Sequence, residues 1–158
     1  MKKKHDSIQL KGFFRAQIVD KKTKKIVGDS GWKQNVITDA GFESCIAALP
    51  FGGIADTQQG SYMILGDGTD PATNATALPG ANTDLVSTFA ATTVEASMTA
   101  RATQVFEGSD STMAALKNIG ILLSATNGSL LCGQSFLTSA LSSDQQVNAS
   151  YELRFSRV

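Results

Sequence analysis

From residue 8 the chain alternates between apolar and polar side chains. Ile8, Leu10, Gly12, Phe14, Ala16 and Ile18 fall on one face of an extended segment, and Gln9, Lys11, Arg15 and Gln17 on the other, with Phe13 and Val19 as exceptions. A period of two marks a half-buried antiparallel strand, because successive side chains point to opposite faces. Asp20-Lys21-Lys22-Thr23-Lys24-Lys25 then reads as a polar turn, and Ile26-Val27 begins a return strand. The pair predicts a β-hairpin with a lysine-rich tip. The last segment alternates as cleanly, with Val147, Ala149, Tyr151, Leu153 and Phe155 set against Asn148, Ser150, Glu152, Arg154 and Ser156.

Between these ends the pattern changes. Thr38 or Asp39 is placed to cap a short helix over about residues 39–49, where Phe42, Cys45, Ile46 and Leu49 make one apolar stripe before Pro50 and Gly52-Gly53 stop it. Tyr62-Met63-Ile64-Leu65 predicts a buried strand ended by Gly66-Asp67-Gly68. Residues 67–92 read as one long loop of Ala, Thr, Asn and Gly, whose sizeable apolar side chains are Leu78, Leu85, Val86 and Phe89. Loops of that length are unusual inside a compact domain and often serve a function. An arm that orders against a neighbouring subunit is the expectation, and deleting residues 70–84 is then expected to leave a folded monomer. Further on, a strand is predicted through residues 94–103, with Val105 breaking its phase at a bulge. Ile119, Ile121 and Leu123 lead into Asn127-Gly128, a strong hairpin signal, with Leu130, Cys132 and Phe136 on the return.

Seven or so short strands with turns between them predict a mainly β fold: an antiparallel β-sandwich with one short helix at its side. At 158 residues the chain suits one domain, read as 8–158 behind a basic tail over 1–7. Lys2-Lys3-Lys4 resembles the basic start of a signal peptide, but His5-Asp6-Ser7 stands where an apolar run belongs. No window approaches the roughly 20 apolar residues of a membrane span, so no membrane contact is expected. Cys45 and Cys132 suit two buried thiols in a reducing cytoplasm, and a bridge between them is also compatible with the sequence.

Charge is zero overall but divided. Residues 1–33 hold Lys2, Lys3, Lys4, Lys11, Arg15, Lys21, Lys22, Lys24, Lys25 and Lys33 against Asp6, Asp20 and Asp29, a net +7, and the remainder carries −7. A solvated basic end accounts for this, and so does a basic part that docks on an acidic neighbour, including a second copy.

Catalysis needs convergent titratable groups, and the pattern offers few. The one histidine, His5, sits next to Asp6 and Ser7, and adjacent residues cannot orient on one another as a nucleophile and its base must. Gly28-Asp29-Ser30-Gly31 has the letters of a serine-protease nucleophile motif but reads as a turn. Asp67-Gly68-Thr69-Asp70 clusters oxygens yet lacks the spacing and terminal bidentate Glu of a calcium loop. No phosphate-cradling or dinucleotide motif occurs, so no enzyme activity, cofactor or small-molecule substrate is expected. The neutral total and the lack of a recognition helix argue against nucleic acid.

Several segments resemble small virion proteins of tailed bacteriophages. Gln34-Asn35-Val36-Ile37-Thr38-Asp39-Ala40-Gly41-Phe42 is similar to their helix entry, and Leu65-Gly66-Asp67-Gly68-Thr69-Asp70-Pro71-Ala72 to a glycine-rich segment before a loop. Leu116-Lys117-Asn118-Ile119-Gly120-Ile121-Leu122 is similar to a strand of that pattern, and a closing strand like Tyr151-Glu152-Leu153-Arg154-Phe155 follows in the same order. Asn118 departs from the pattern, which carries an acid there, and the 67–92 loop is longer than the pattern's. The resemblance implies a virion subunit made in the host cytoplasm, of capsid-decoration or tail type, whose partners are its own copies and other virion proteins. On that reading the contact residues are Lys2, Lys3, Lys4, Lys21, Lys22, Lys24, Lys25, Leu78, Leu85, Val86 and Phe89. A glycan- or host-surface-binding module built around Trp32 is the alternative.

Overall fold

A computed structural model describes residues 7–43, 60–94, 98–123 and 128–157. Its elements are β1 (Ile8–Asp20), β2 (Ile26–Asp29), β3 (Lys33–Gln34), β4 (Val36–Ile37), α1 (Asp39–Gly41), β5 (Tyr62–Gly66), β6 (Ala81–Thr88), β7 (Ala90–Val94), β8 (Thr99–Glu107), β9 (Met113–Leu122), β10 (Leu130–Leu141) and β11 (Gln145–Arg157). They form two antiparallel sheets. Sheet A runs β2-β1-β11-β8-β7, with β3 also on β1, and sheet B runs β4-β10-β9-β5-β6. The predicted antiparallel β-sandwich with a short helix is the fold.

The alternating segments form the middle of sheet A. Strand β1 pairs β11 over their whole lengths, Ile8 opposite Arg157 through Asp20 opposite Gln145. Phe14, Ala16, Ile18, Val147, Ala149 and Tyr151 point inward and are buried. The rings of Phe14 and Tyr151 meet at 4.7 Å between centroids. Met63, Leu65, Leu116, Ile119, Ile121 and Cys132 come to the same core from sheet B. Gly12 lies opposite Leu153, where a Cβ would stand 2.1 Å from Asn35 Oδ1 and 2.6 Å from the Tyr151 hydroxyl. Gly12→Ala is therefore expected to lower stability by about 2 kcal/mol, the usual cost of overpacking a filled core. A urea-unfolding midpoint shift measures it.

Each lateral side of the sandwich is bridged by a strand that changes sheet. On one side residues 33–37 leave β1 as β3 and join β10 as β4. On the other, β6 pairs β5 in sheet B, and β7, one residue later, pairs β8 in sheet A. The reading of 67–92 as one loop is corrected here: the loop covers residues 67–80, and the rest is strand. Nor is it an arm. Leu78 and Leu85 are buried at 3% and 2% exposure. Leu78 joins Ile64, Leu122 and Leu130 on the outer face of sheet B, with Val86 packed beside them, and Phe89 packs on the main core. The loop is a cover: Leu78 lies over Gly120, where a Cβ would come within 3.1 Å of its Cδ1. The middle of sheet B is thus buried on both faces, which is why β5 and the second half of β9 read as apolar runs.

Three local expectations change. Val94 pairs Thr99 across a turn containing Met98, so residues 94–103 are two strands, and Met98 is exposed. Val105 faces outward in unbroken register with Asn148, without a bulge. Thr38 caps α1, its hydroxyl accepting from Gly41 N at 3.1 Å. Residues 44–49 of the predicted helix, with Cys45, lie outside the described residues, as do Asn127 and His5.

Candidate interaction surfaces

The contact residues expected from the sequence scatter. Lys2, Lys3 and Lys4 lie outside the described residues; Leu78 and Val86 belong to the apolar layer between the loop and the outer face of sheet B, and Leu85 and Phe89 to the main core. Lys22, Lys24 and Lys25 are exposed on the hairpin tip. Lys21 is half-buried and held within the chain, its Nζ 3.1 Å from Glu107 and 3.4 Å from the Ser109 hydroxyl.

The outer face of sheet A carries an ion network. Glu152 points outward yet is 5% exposed, because two arginines close over it. Its Oε2 accepts from Arg154 Nε at 2.9 Å and Nη2 at 2.6 Å. Its Oε1 accepts from Arg101 Nε at 3.0 Å and from Arg101 Nη2. The register sets Phe13, Glu152 and Arg101 in one cross-strand row. The Arg154 guanidinium stacks 4.2 Å from the Phe13 ring centroid and 5.6 Å from that of Trp32. Nearby, Arg15 grips Asp29 through Nε at 3.0 Å and Nη2 at 2.5 Å, and Gln17 adds a third bond at 3.0 Å. These bonds fasten the edge strand β2 to β1. Of Gly28-Asp29-Ser30-Gly31, expected as a turn, Gly28 and Asp29 end β2 and the chain turns only at Ser30-Gly31: Asp29 accepts from Gly31 N at 2.9 Å, and the Ser30 hydroxyl accepts from Ala16 N at 2.9 Å.

Three carboxyls respond to these contacts. Burial alone would raise Glu152, but hydrogen bonds and charge from Arg101 and Arg154 outweigh it and the result is lowered. Arg15, through its hydrogen bonds, holds Asp29 far below the ordinary carboxylate range against a smaller burial effect, with help from Gly31 and Gln17. Asp20 is lowered first by the Thr23 backbone N–H and then by its hydroxyl. A carboxyl lowered in the folded state adds stability that is complete above its unfolded value, about pH 4, and is lost as pH falls through the folded value. The urea midpoint is thus expected to hold from about pH 8 to about pH 5 and to fall steeply below about pH 4. Glu152→Gln should flatten that acid limb, and an unchanged limb would mean the network does not act on stability.

The lateral sides differ. Strand β4 pairs β10 only at Cys132 and Gly133. Asp70 then takes the Ser135 N–H at 2.6 Å, and past this point no described strand pairs that edge of β10. Ser135 pairs Asn118 and Ser139 pairs Leu116, so β10 bulges between them. The bulge swings Leu137 out to 89% exposure. Beside it lies a cleft of about 290 Å³ lined by Gly28, Ser30, Lys33, Phe136 and Leu137. On the far side of sheet B, β5 ends at Gly66 opposite Asn118, while β9 runs on to Met113. That leaves a notch of about 480 Å³ lined by Asp67, Ala81, Thr83, Met113 and Ala114. Between the sheets an apolar cavity of about 190 Å³ is lined by Ile37, Phe89, Ala102, Ile121 and Leu131. Among the described residues no three of His, Cys, Asp and Glu converge on a metal-sized site. Asp67 and Asp70 diverge, Asp70 toward β10 and Asp67 toward the notch.

Leu137 and Glu152 were not singled out in the sequence. A second apolar residue directly after Phe136 is a trace of the bulge. The covering of Glu152 has no local sign, because Arg101 comes from another strand. No protein-family model, curated protein or solved structure matches the chain.

Proposed function

We propose that this chain is a repeated structural subunit of a tailed-phage virion, of capsid-decoration or tail type, which works by contact with its own copies and with other virion proteins. The observation that carries the reading is the edge of β10 that no described strand pairs, with Leu137 held 89% exposed. An isolated sandwich gains nothing from a leucine in water, whereas an assembly gains apolar burial at every copy. The order of the segments similar to small virion proteins supports the same assignment. In a lattice, avidity multiplies weak contacts, so no single interface has to be strong.

The test is the protein inventory of purified particles. The chain should band with them through a density gradient, in fixed ratio to the main shell or tail protein. Its absence from washed, intact particles ends this reading. A glycan- or host-surface-binding role is the second reading, favoured by Trp32 standing 36% exposed beside Arg154 on an open sheet face. It requires saturable binding on a glycan array that Trp32→Ala removes.

A further inference from the structure

We propose that copies of this chain join end to end, the Lys2-Lys3-Lys4 segment of one copy lying in the notch beyond β5 of the next. The inference rests on the virion reading only for its setting; the joint itself is argued from the geometry and charge of one chain.

The notch suits a polar, cationic, extended segment. Strand β5 stops at Gly66, which faces Asn118 of β9 on one side and Ala81 of β6 on the other. Past that point no described strand pairs β9 over residues 113–117 on that side, so the width of a single strand lies open there. The lining is largely polar, with Asp67, Asn82, Thr83 and Thr112 beside Ala81 and Ala114. Acid surrounds it. Exposed Asp84 follows Thr83, and exposed Asp110 precedes Ser111, whose hydroxyl accepts from Asn82 Nδ2 at 3.1 Å. Neither these two nor Asp67 forms an ion pair with a described residue. Strand β9 brings one cation against the three, the half-buried Lys117. A run of three lysines answers that imbalance, in keeping with the +7 and −7 division of the chain.

Distance requires that the lysines come from another copy. Asp20 faces Gln145, Gln146 faces Glu107, and residues 108–112 lead from there to Met113, so the notch lies at the Asp20 end of β1. The lysines precede Ile8, at the opposite end. Strand β1 runs about 40 Å from Ile8 to Asp20, whereas the stretch from Lys2 to Ile8 reaches about 20 Å when fully extended. A chain cannot reach its own notch. End-to-end placement also keeps the two sandwiches apart, because only the segment enters and every strand of the recipient stays in place. Lys22, Lys24 and Lys25 are the rival cations, but they sit on the tip of a hairpin, two strands wide where the notch admits one. Donor segment and notch are different surfaces, so the contact is heterologous. It builds a filament or ring of copies rather than a closed dimer.

Sedimentation of the purified full chain and two variants tests this. The triple change Lys2→Glu, Lys3→Glu and Lys4→Glu reverses the donor, and Ala114→Arg fills the notch at an exposed position; circular dichroism checks that each variant folds. The wild type should gain mass with concentration beyond a dimer, and less so as salt rises, because exposed charges are screened. Each variant alone should associate at least about 10-fold more weakly, the effect of losing several exposed ion pairs. Mixed at a concentration where each alone is monomeric, the two variants should give a one-to-one dimer, because one intact donor and one intact notch remain. A wild type that stays monomeric or stops at a dimer, an association indifferent to salt, either variant assembling normally, or a mixture that stays monomeric overturns the joint. A monomeric chain still found in purified particles would overturn the joint and leave the virion reading standing.

Discussion

Leu78→Ala is expected to lower the unfolding free energy by about 3 kcal/mol, within the range for truncating a buried leucine. For a chain of this size that is a fall of about 10 °C in the melting temperature. The argument rests on what Leu78 covers. It is 3% exposed and packs with Ile64, Leu122 and Leu130 on the outer face of sheet B, with Tyr62, Ala75 and Val86 at the margin. The loop that carries it is pinned on three sides: Asp67 N donates to Gly80 O at 3.0 Å, Leu130 N to Thr76 O at 3.0 Å and Asp39 N to Thr73 O at 2.7 Å. Removing residues 70–84 takes away this cover and the first half of β6. It is expected to leave no cooperatively folded chain, contrary to the folded monomer that the sequence suggests. Thermal melts of both variants decide the matter. A Leu78→Ala protein that melts with the wild type would mean that the loop does not seal the sheet.

Asn118→Asp should cost more than the single atom it exchanges suggests. The Asn118 side chain is fully buried, and its Nδ2 donates to Thr69 O at 3.0 Å and to Pro79 O at 2.8 Å, near the two ends of the covering loop. An ionised aspartate would set an oxygen in place of Nδ2 against those carbonyls, lose both bonds and bury a charge. Two part-buried carbonyls left without donors cost about 2 kcal/mol, and the buried charge adds to that. The buried carboxyl would ionise less readily folded than unfolded, so the variant's deficit should grow as pH rises through the carboxylate range and shrink in acid, where a protonated Asp donates one bond. Urea unfolding at about pH 7 and about pH 4, with Asn118→Leu as the uncharged control, reads this directly. Equal deficits for the two variants at both values would show that charge plays no part. The two donors of the amide tie the covering loop near both of its ends.

Legibility followed solvent. Strands β1 and β11 were readable because one face of sheet A meets water, so alternation survives in the residues. Ala81–Val94 was not, because its strands bridge the side of the sandwich and are built of Ala, Asn and Thr with few apolar markers. The expectation that Leu78 and Leu85 are contacts fails for a related reason. Leu78 and Leu85 stand among polar neighbours, which suggests a surface arm, but each is the single anchor that such a segment drives into a core.

What the sequence determined by itself is local: the period-two strands, the lysine-rich turn, the Thr38 cap and the small-residue composition that favours pleated sheet over helix. These depend on backbone geometry and on neighbours within a few residues. The tertiary structure alone decided that the middle of sheet B is covered on both faces, that Glu152 is closed in by arginines from its own strand and the next, and that Leu137 is left in water. Each of these depends on which distant segment lies alongside, and pairing partners such as Ser135 and Asn118, or Gly66 and Asn118, are set by the register of whole sheets. No stretch of a few residues contains that information.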